Sequence, residues 1–71
     1  DKLYKLYRDG ILFTSQAGKI NLILSTPDGI IRYSDKIDVE PGTRIEWEEL
    51  GLNTGLYILH INGFSEKIFV P

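Results

Sequence analysis

Residues 55–70 have the sequence GLYILHINGFSEKIFV, which contains a clear strand–turn–strand pattern. Large apolar side chains occupy every second position of its first half, at Tyr57, Leu59 and Ile61. This period of two is typical of a strand with one buried face. Asn62-Gly63 favours a two-residue hairpin turn, because both residues tolerate a positive φ. The pattern predicts an antiparallel hairpin of strands Leu56–Ile61 and Ser65–Val70.

Short alternating segments of the same kind fill the rest of the chain. The strongest turn signal is Pro27-Asp28-Gly29, where Pro presets φ and Gly accepts a positive φ. The other alternating segments lie at Leu3–Tyr7, Ile11–Thr14, Lys19–Thr26, Ile30–Ser34, Lys36–Val39 and Arg44–Glu48. No segment has a sustained helical period. Short strands at this spacing predict a single all-β domain over residues 1–71, an antiparallel immunoglobulin-like β-sandwich of about six to seven strands.

The shared phase of the strands predicts which side chains fill the core. We expect Ile20, Leu22, Leu24, Ile45, Trp47, Tyr57, Leu59, Ile61, Ile68 and Val70 to face inward. Tyr57 follows an irregular loop that ends at Gly55. A tyrosine at such a corner packs its ring inward and donates its hydroxyl hydrogen bond back to the loop backbone.

Composition excludes several classes of function. The chain has 71 residues, a formal net charge of −2 and no cysteine. An acidic balance argues against a nucleic-acid module, and the lack of cysteine excludes disulfides and cysteine-ligated zinc. No apolar run approaches the ~20 residues that a membrane-spanning helix needs. We expect no nucleic acid, no membrane span, no metal and no cofactor.

Few residues could carry catalysis. His60 is the only histidine and is predicted to share a strand face with Leu56 and Ile58, so it reads as a structural or surface imidazole. Glu46 and Glu48 lie two residues apart, a spacing that would suit an acid/base pair. Their alternation with apolar residues instead predicts that they form, with Glu49, the solvated face of a strand. We therefore expect no enzyme.

Aromatic residues offer an alternative binding function. Trp47, Tyr4, Tyr7 and Tyr33 could stack against sugar rings, as in a carbohydrate-binding module. Trp47, however, falls in the inward phase of its predicted strand, which favours a role in the core. Tyr4 and Tyr7 are three residues apart, so a strand would place them on opposite faces.

Two blocks of the sequence carry a resemblance to a known family. The first block comprises Leu52, Gly55, Tyr57 and Ile61, followed by Lys67, Ile68 and Val70 near the end of the chain. The second block lies upstream and comprises Gly18, Ile20, Leu22, Leu24, Gly29 and Ile31. Together, over about residues 11–71, they resemble the C-terminal sorting domain of the type IX (Por) secretion system of Bacteroidetes. A Pro-Asn-Pro that often precedes the upstream block is absent, and one Lys precedes Ile68 where two basic residues are common.

The resemblance implies a fold and a function. Family members are immunoglobulin-like sandwiches at the C-terminus of secreted proteins. The outer-membrane translocon of the type IX system recognises them and exports the upstream cargo domain, and in many members a sortase-like peptidase removes the domain. By resemblance, the recognised residues are Gly29, Gly55, Tyr57, Lys67, Ile68, Phe69 and Val70. The implied location is secreted or on the cell surface, reached through the periplasm and the outer membrane.

The sequence is therefore compatible with two functions. One is a sorting domain with no catalysis of its own. In this case the strand Glu66–Val70 lies at a sheet edge and, with the strand Gly55–Ile61 beside it, carries the recognition signal. The other is a non-catalytic immunoglobulin-like or carbohydrate-binding accessory module of a larger secreted protein. A sorting domain is expected to end its parent protein near Pro71, whereas an accessory module tolerates further sequence.

Overall fold

A computed structural model describes residues 3–15 and 17–71 of the chain. The strands are β1 (Tyr4–Tyr7), β2 (Gly10–Phe13), β3 (Gly18–Ser25), β4 (Ile31–Val39), β5 (Arg44–Glu46), β6 (Gly55–Ile61) and β7 (Phe64–Val70). One turn of 3₁₀ helix, Trp47–Leu50, lies between β5 and β6. The alternation of apolar and polar residues thus produces the all-β fold that the sequence predicts.

The strands form two antiparallel sheets. The three-stranded sheet has the order β1-β2-β5, and the four-stranded sheet has the order β4-β3-β6-β7. In a constant-type immunoglobulin sandwich the first, second, fifth and fourth strands share one sheet. Here β4 lies instead at the edge of the other sheet, so the immunoglobulin-like order holds for every strand but β4. The prediction of an all-β sandwich is confirmed.

The core lies between the inner faces of the two sheets. It consists of Tyr4, Ile11, Phe13, Ile20, Leu22, Leu24, Val39, Trp47, Tyr57, Leu59, Ile61, Ile68 and Val70. All residues predicted to face inward are buried except Ile45, which is partly buried and packs against this cluster. Burial of such side chains is the main force that holds the sheets together.

Two strand predictions are wrong in detail. The predicted strands Ile30–Ser34 and Lys36–Val39 belong to one continuous strand, β4, which begins at Ile31. Its middle residues, Ser34 to Lys36, are polar and exposed, so the apolar pattern does not show that the strand continues through them. The predicted strand Arg44–Glu48 ends at Glu46, where a 3₁₀ helix begins. A capping box starts this helix, because the Glu49 carboxylate accepts a hydrogen bond from the Glu46 N–H at 3.0 Å. Trp47 is buried as predicted, but it lies on the 3₁₀ helix and not on a strand.

The turns follow the predicted chemistry. Asn62 and Gly63 have φ values of 44° and 91°, as a two-residue hairpin between β6 and β7 requires. The Asn62 side-chain oxygen also accepts a hydrogen bond from the Asn21 N–H at 2.9 Å. Between β3 and β4, the Thr26 hydroxyl donates to the Asp28 carboxylate, and this bond lowers the pKa of Asp28.

Candidate functional site

Several residues singled out by the resemblance lie at one end of the four-stranded sheet. In the pairing of β6 with β7, Gly55 lies opposite Val70, and in the pairing of β3 with β6, Ser25 lies opposite Ile58. The end of β3, the start of β6 and the end of β7 therefore meet at this end. The turn that contains Gly29 leaves β3 there. Segments that are far apart in sequence thus converge on one end of the sandwich.

Most of these residues serve the fold. Gly29 has a φ of 94°, which lets the turn between β3 and β4 close. Tyr57, Ile68 and Val70 are buried in the core. The Tyr57 hydroxyl donates a hydrogen bond of 2.8 Å to the Asn53 carbonyl, which confirms the predicted corner. Gly55 begins β6 directly after this corner. The side chains of Tyr57, Ile68 and Val70 are therefore not available to a partner.

Lys67 and Phe69 differ from the others, because both are exposed on β7. They alternate with the buried Ile68 and Val70, so their side chains lie on the outer face of the four-stranded sheet. Phe69 retains 58% of its accessible surface. These are the two residues of the predicted recognition set that present a charge and an apolar ring to solvent.

Phe69 belongs to a larger apolar surface that the sequence analysis missed. We define the outer patch as Ile23, Ile31, Leu56, Ile58 and Phe69. Ile31, Leu56 and Phe69 are exposed, whereas Ile23 and Ile58 are half-buried. Ile31 joins the outer face through a register shift after Leu24, which places it opposite Ser25. Register places Leu56 directly opposite Phe69, and Ile58 directly opposite Lys67. Contiguous exposed apolar residues mark interaction surfaces more often than scattered ones do. The available signal was apolar residues in the outward phase of several strands, but grouping them requires the register.

The outer patch surrounds a buried polar residue. Ser25 is only 6% exposed although it lies in the outward phase of β3. It pairs with Ile58 on one side and with Ile31 on the other. Side chains of the outer patch thus flank Ser25 on a face where most polar residues are exposed.

β7 is an edge strand, as predicted for the recognition segment. Within residues 3–15 and 17–71, it pairs with β6 alone. The residues that flank a two-residue turn form a hydrogen-bonded pair, here Ile61 with Phe64, and such pairs then alternate along the hairpin. The backbone N–H and C=O groups of Ser65, Lys67 and Phe69 therefore point away from β6, toward solvent.

His60 lies on the outer face between two serines. Its Nδ1 is 2.9 Å from the Ser65 hydroxyl and its Nε2 is 3.5 Å from the Ser25 hydroxyl. It shares this face with Leu56 and Ile58, as predicted. In the described part of the chain, its recorded partners are hydroxyls alone.

The acidic residues near Trp47 do not form the predicted strand face. Glu46 ends β5, whereas Glu48 and Glu49 lie on the 3₁₀ helix that follows. Among the described residues, no group of three or more His, Asp or Glu side chains could hold a metal ion. Arg44, on the same strand as Glu46, forms a 2.7 Å ion pair with Asp9.

The helix Trp47–Leu50, which is the one helix within residues 3–15 and 17–71, has 4 residues, far fewer than the ~20 that a membrane-spanning helix needs.

The aromatic residues do not form a platform for sugar rings. Trp47 is 3% exposed and Tyr4 is buried, so both belong to the core. Tyr7 lies on the opposite face of β1 from Tyr4, as predicted, with the Arg44 guanidinium 5.3 Å from its ring centre. Tyr33 is partly buried against the core. The residues considered for sugar stacking therefore share no exposed face.

The inner side of β7 carries one acidic residue. The Tyr4 hydroxyl donates a 2.7 Å hydrogen bond to the carboxylate of Glu66, which joins β1 of one sheet to β7 of the other. Burial raises the pKa of the Tyr4 phenol well above its ordinary value, and the hydrogen bond and charge of Glu66 raise it further. An inward-pointing charge on an edge strand discourages unselective pairing with other strands.

Comparison with known proteins identifies no relative. No known protein family matches the chain, and no curated protein or solved structure matches it significantly.

Proposed function

We propose that this domain is a secretion signal of the type IX system, recognised at β7 by the outer-membrane translocon. In this role it directs an upstream cargo domain across the outer membrane to the cell surface or the medium, and a sortase-like peptidase is a second partner. The domain has no catalytic activity, metal or cofactor of its own.

One observation carries the proposal. Within the set of residues given by the resemblance, Gly29, Tyr57, Ile68 and Val70 have clear roles in the fold. Lys67 and Phe69 have none, yet they lie together on the edge strand that the resemblance assigns to recognition. A motif that combines fold-building residues with exposed residues on an open edge suits a domain that another protein reads.

The accessory-module alternative is compatible with the same sandwich. It assigns no role to Lys67 or to the outer patch, and the dispersed aromatic residues do not favour its carbohydrate-binding form. The two functions also differ in the gene. A parent protein with a signal peptide, a large upstream domain and a stop codon after Pro71 supports sorting, whereas a further domain after Pro71 supports an accessory module.

Export of a reporter tests the proposal directly. A reporter with a signal peptide is fused upstream of residues 1–71 in a type IX-secreting host, and its amounts in periplasm and medium are compared. We expect Lys67→Glu to retain most of the reporter in the periplasm. The fold should survive, because an exposed charge typically changes stability by less than ~0.5 kcal/mol.

Lys36→Glu is the matched control. Lys36 is an exposed lysine on the outer face of the same sheet, but it lies on β4 at the opposite edge. It should be exported like the wild type. Deletion of residues 65–71 is uninformative alone, because it also removes Ile68 and Val70 from the core. Normal export of Lys67→Glu, or equal loss with Lys36→Glu, would show that β7 is not the recognised element.

A further inference from the structure

We propose that the outer edge of β7 binds an extended segment of the partner as an added antiparallel strand. The segment has an acidic residue opposite Lys67 and an apolar residue opposite Phe69. This inference rests on the proposed function and specifies which kinds of residue the partner presents to β7. It can be tested without secretion, so its failure is distinguishable from failure of the proposed function.

The backbone of β7 sets the register of the added strand. Ser65, Lys67 and Phe69 point their N–H and C=O groups away from β6, so a partner strand hydrogen-bonds to these residues. The side chains of these residues lie on the outer face. Every pairing in the two sheets is antiparallel, and antiparallel pairing is the more stable arrangement for each residue.

Side chains on the outer face select the partner residues. Lys67 is the only charged residue of β7 in the outward phase, so an acid directly opposite it gains a cross-strand charge pair. Phe69 and Leu56 already form an apolar cross-strand pair at the outer patch. An apolar residue opposite Phe69 extends this row and removes more of its surface from water.

The inner side adds a second constraint. Glu66 and Ile68 alternate with the outward residues, so partner residues opposite them lie on the inner side of the sheet. A second acid opposite Glu66 is repelled, whereas a basic residue is tolerated. An antiparallel partner meets the residues of β7 in reverse order. From its N-terminus, the preferred segment therefore has an apolar residue opposite Phe69, an apolar residue opposite Ile68 and an acidic residue opposite Lys67. A basic residue opposite Glu66 and a hydroxyl residue opposite Ser65 follow.

Two peptides of identical composition provide the probe. The first contains Val-Ile-Glu-Lys-Thr, which matches this order, and the second contains Val-Ile-Lys-Glu-Thr. Exchange of the two central residues places Lys opposite Lys67 and Glu opposite Glu66. Capped peptides with these cores are titrated to millimolar concentration into the ¹⁵N-labelled 71-residue chain, and the amide resonances and exchange rates are recorded.

We expect the first peptide to bind about fivefold tighter than the second, because charge pairs of opposite sign replace pairs of like sign. Binding should slow hydrogen exchange at Ser65, Lys67 and Phe69. Exchange at Glu66 and Ile68, whose N–H groups already face β6, should not change. The preference should vanish in Lys67→Glu and persist in Lys36→Glu.

Three outcomes would overturn the inference: no response at the outward amides of β7, equal affinity for the two peptides, or self-association of the free chain through β7. Loss of export in Lys67→Glu without peptide selectivity leaves the proposed function in place and removes the added strand. Selective peptide binding with normal export of Lys67→Glu would support the added strand and contradict recognition of β7 in secretion.

Discussion

The hydroxyl of Tyr57 donates a hydrogen bond of 2.8 Å to the carbonyl oxygen of Asn53, four residues earlier in the chain. The Tyr57 ring is buried in the core, so this bond holds the loop before β6 against the sandwich. The loop leads directly into Gly55 and Leu56. Tyr57 thus links the core to the position of the outer patch.

Replacement of Tyr57 by phenylalanine removes this bond and keeps the ring. We expect the free energy of unfolding to fall by about 1 kcal/mol, the usual net contribution of one hydrogen bond. Urea unfolding measures the change. Tyr33→Phe is the control, because Tyr33 is partly buried and the described residues give its hydroxyl no partner. Equal midpoints for wild type and Tyr57→Phe would contradict the role of the corner.

The hydrogen bond from Tyr4 to Glu66 is expected to stabilise the contact between the two sheets. Tyr4→Phe should lower the free energy of unfolding by about 1.5 kcal/mol near neutral pH, because the acceptor is charged. Urea unfolding of both proteins measures this loss. An unchanged stability would mean that the ring alone holds β1 against β7.

The raised pKa of Tyr4 predicts a pH dependence with a definite sign. Below pH 10.0, the ordinary pKa of a tyrosine, the phenol is protonated in both the folded and the unfolded chain. Above it the unfolded chain releases this proton while the folded chain keeps it, so the Tyr4 contribution to stability is lost as pH rises. The difference between wild type and Tyr4→Phe should therefore shrink at alkaline pH. A difference that grows with pH would contradict a raised pKa of Tyr4 in the folded chain.

The parts of the fold that sequence predicts depend on local chemistry. The turns at Pro27-Asp28-Gly29 and Asn62-Gly63, and the alternation in β6, are properties of a few neighbouring residues. The start of the 3₁₀ helix is also local, but its capping box uses Glu46 in place of the more common serine or threonine. Because glutamate is less common at this position of a capping box, the sequence pattern did not indicate that β5 ends at Glu46.

The candidate site was predicted only in part, since the outer patch depends on long-range pairing. Lys67 and the edge position of β7 follow from the sequence pattern and the resemblance. By contrast, Leu56 and Phe69 become neighbours only through the hairpin register. Tyr4 and Phe13 were likewise missed as core residues, because the short β1 and β2 have too few alternations to fix a phase.

The close approach of β2 and β5 predicts an unusual sensitivity at Gly10. A Cβ atom there would overlap the Ile45 carbonyl oxygen, which belongs to the backbone and cannot rotate away. We expect Gly10→Ala to cost ~3 kcal/mol or more. In Gly42→Ala the added Cβ meets open space, and a φ of 99° alone costs about 1 kcal/mol. Thermal or urea unfolding compares the two, and equal losses would contradict the steric explanation.

Two phenylalanines of β7 separate recognition from stability. Phe69 is 58% exposed within the outer patch, whereas Phe64 is 65% exposed at the hairpin end of the same strand. Because both rings lie largely in water, replacement of either by threonine should change the free energy of unfolding by less than about 0.5 kcal/mol. Only Phe69→Thr removes the apolar surface opposite Leu56, so only this variant should reduce export of the fused reporter. Equal export of the two variants at equal stability would show that the outer patch is not part of the recognised surface. Lys67 would then be the exposed residue of β7 on which recognition depends.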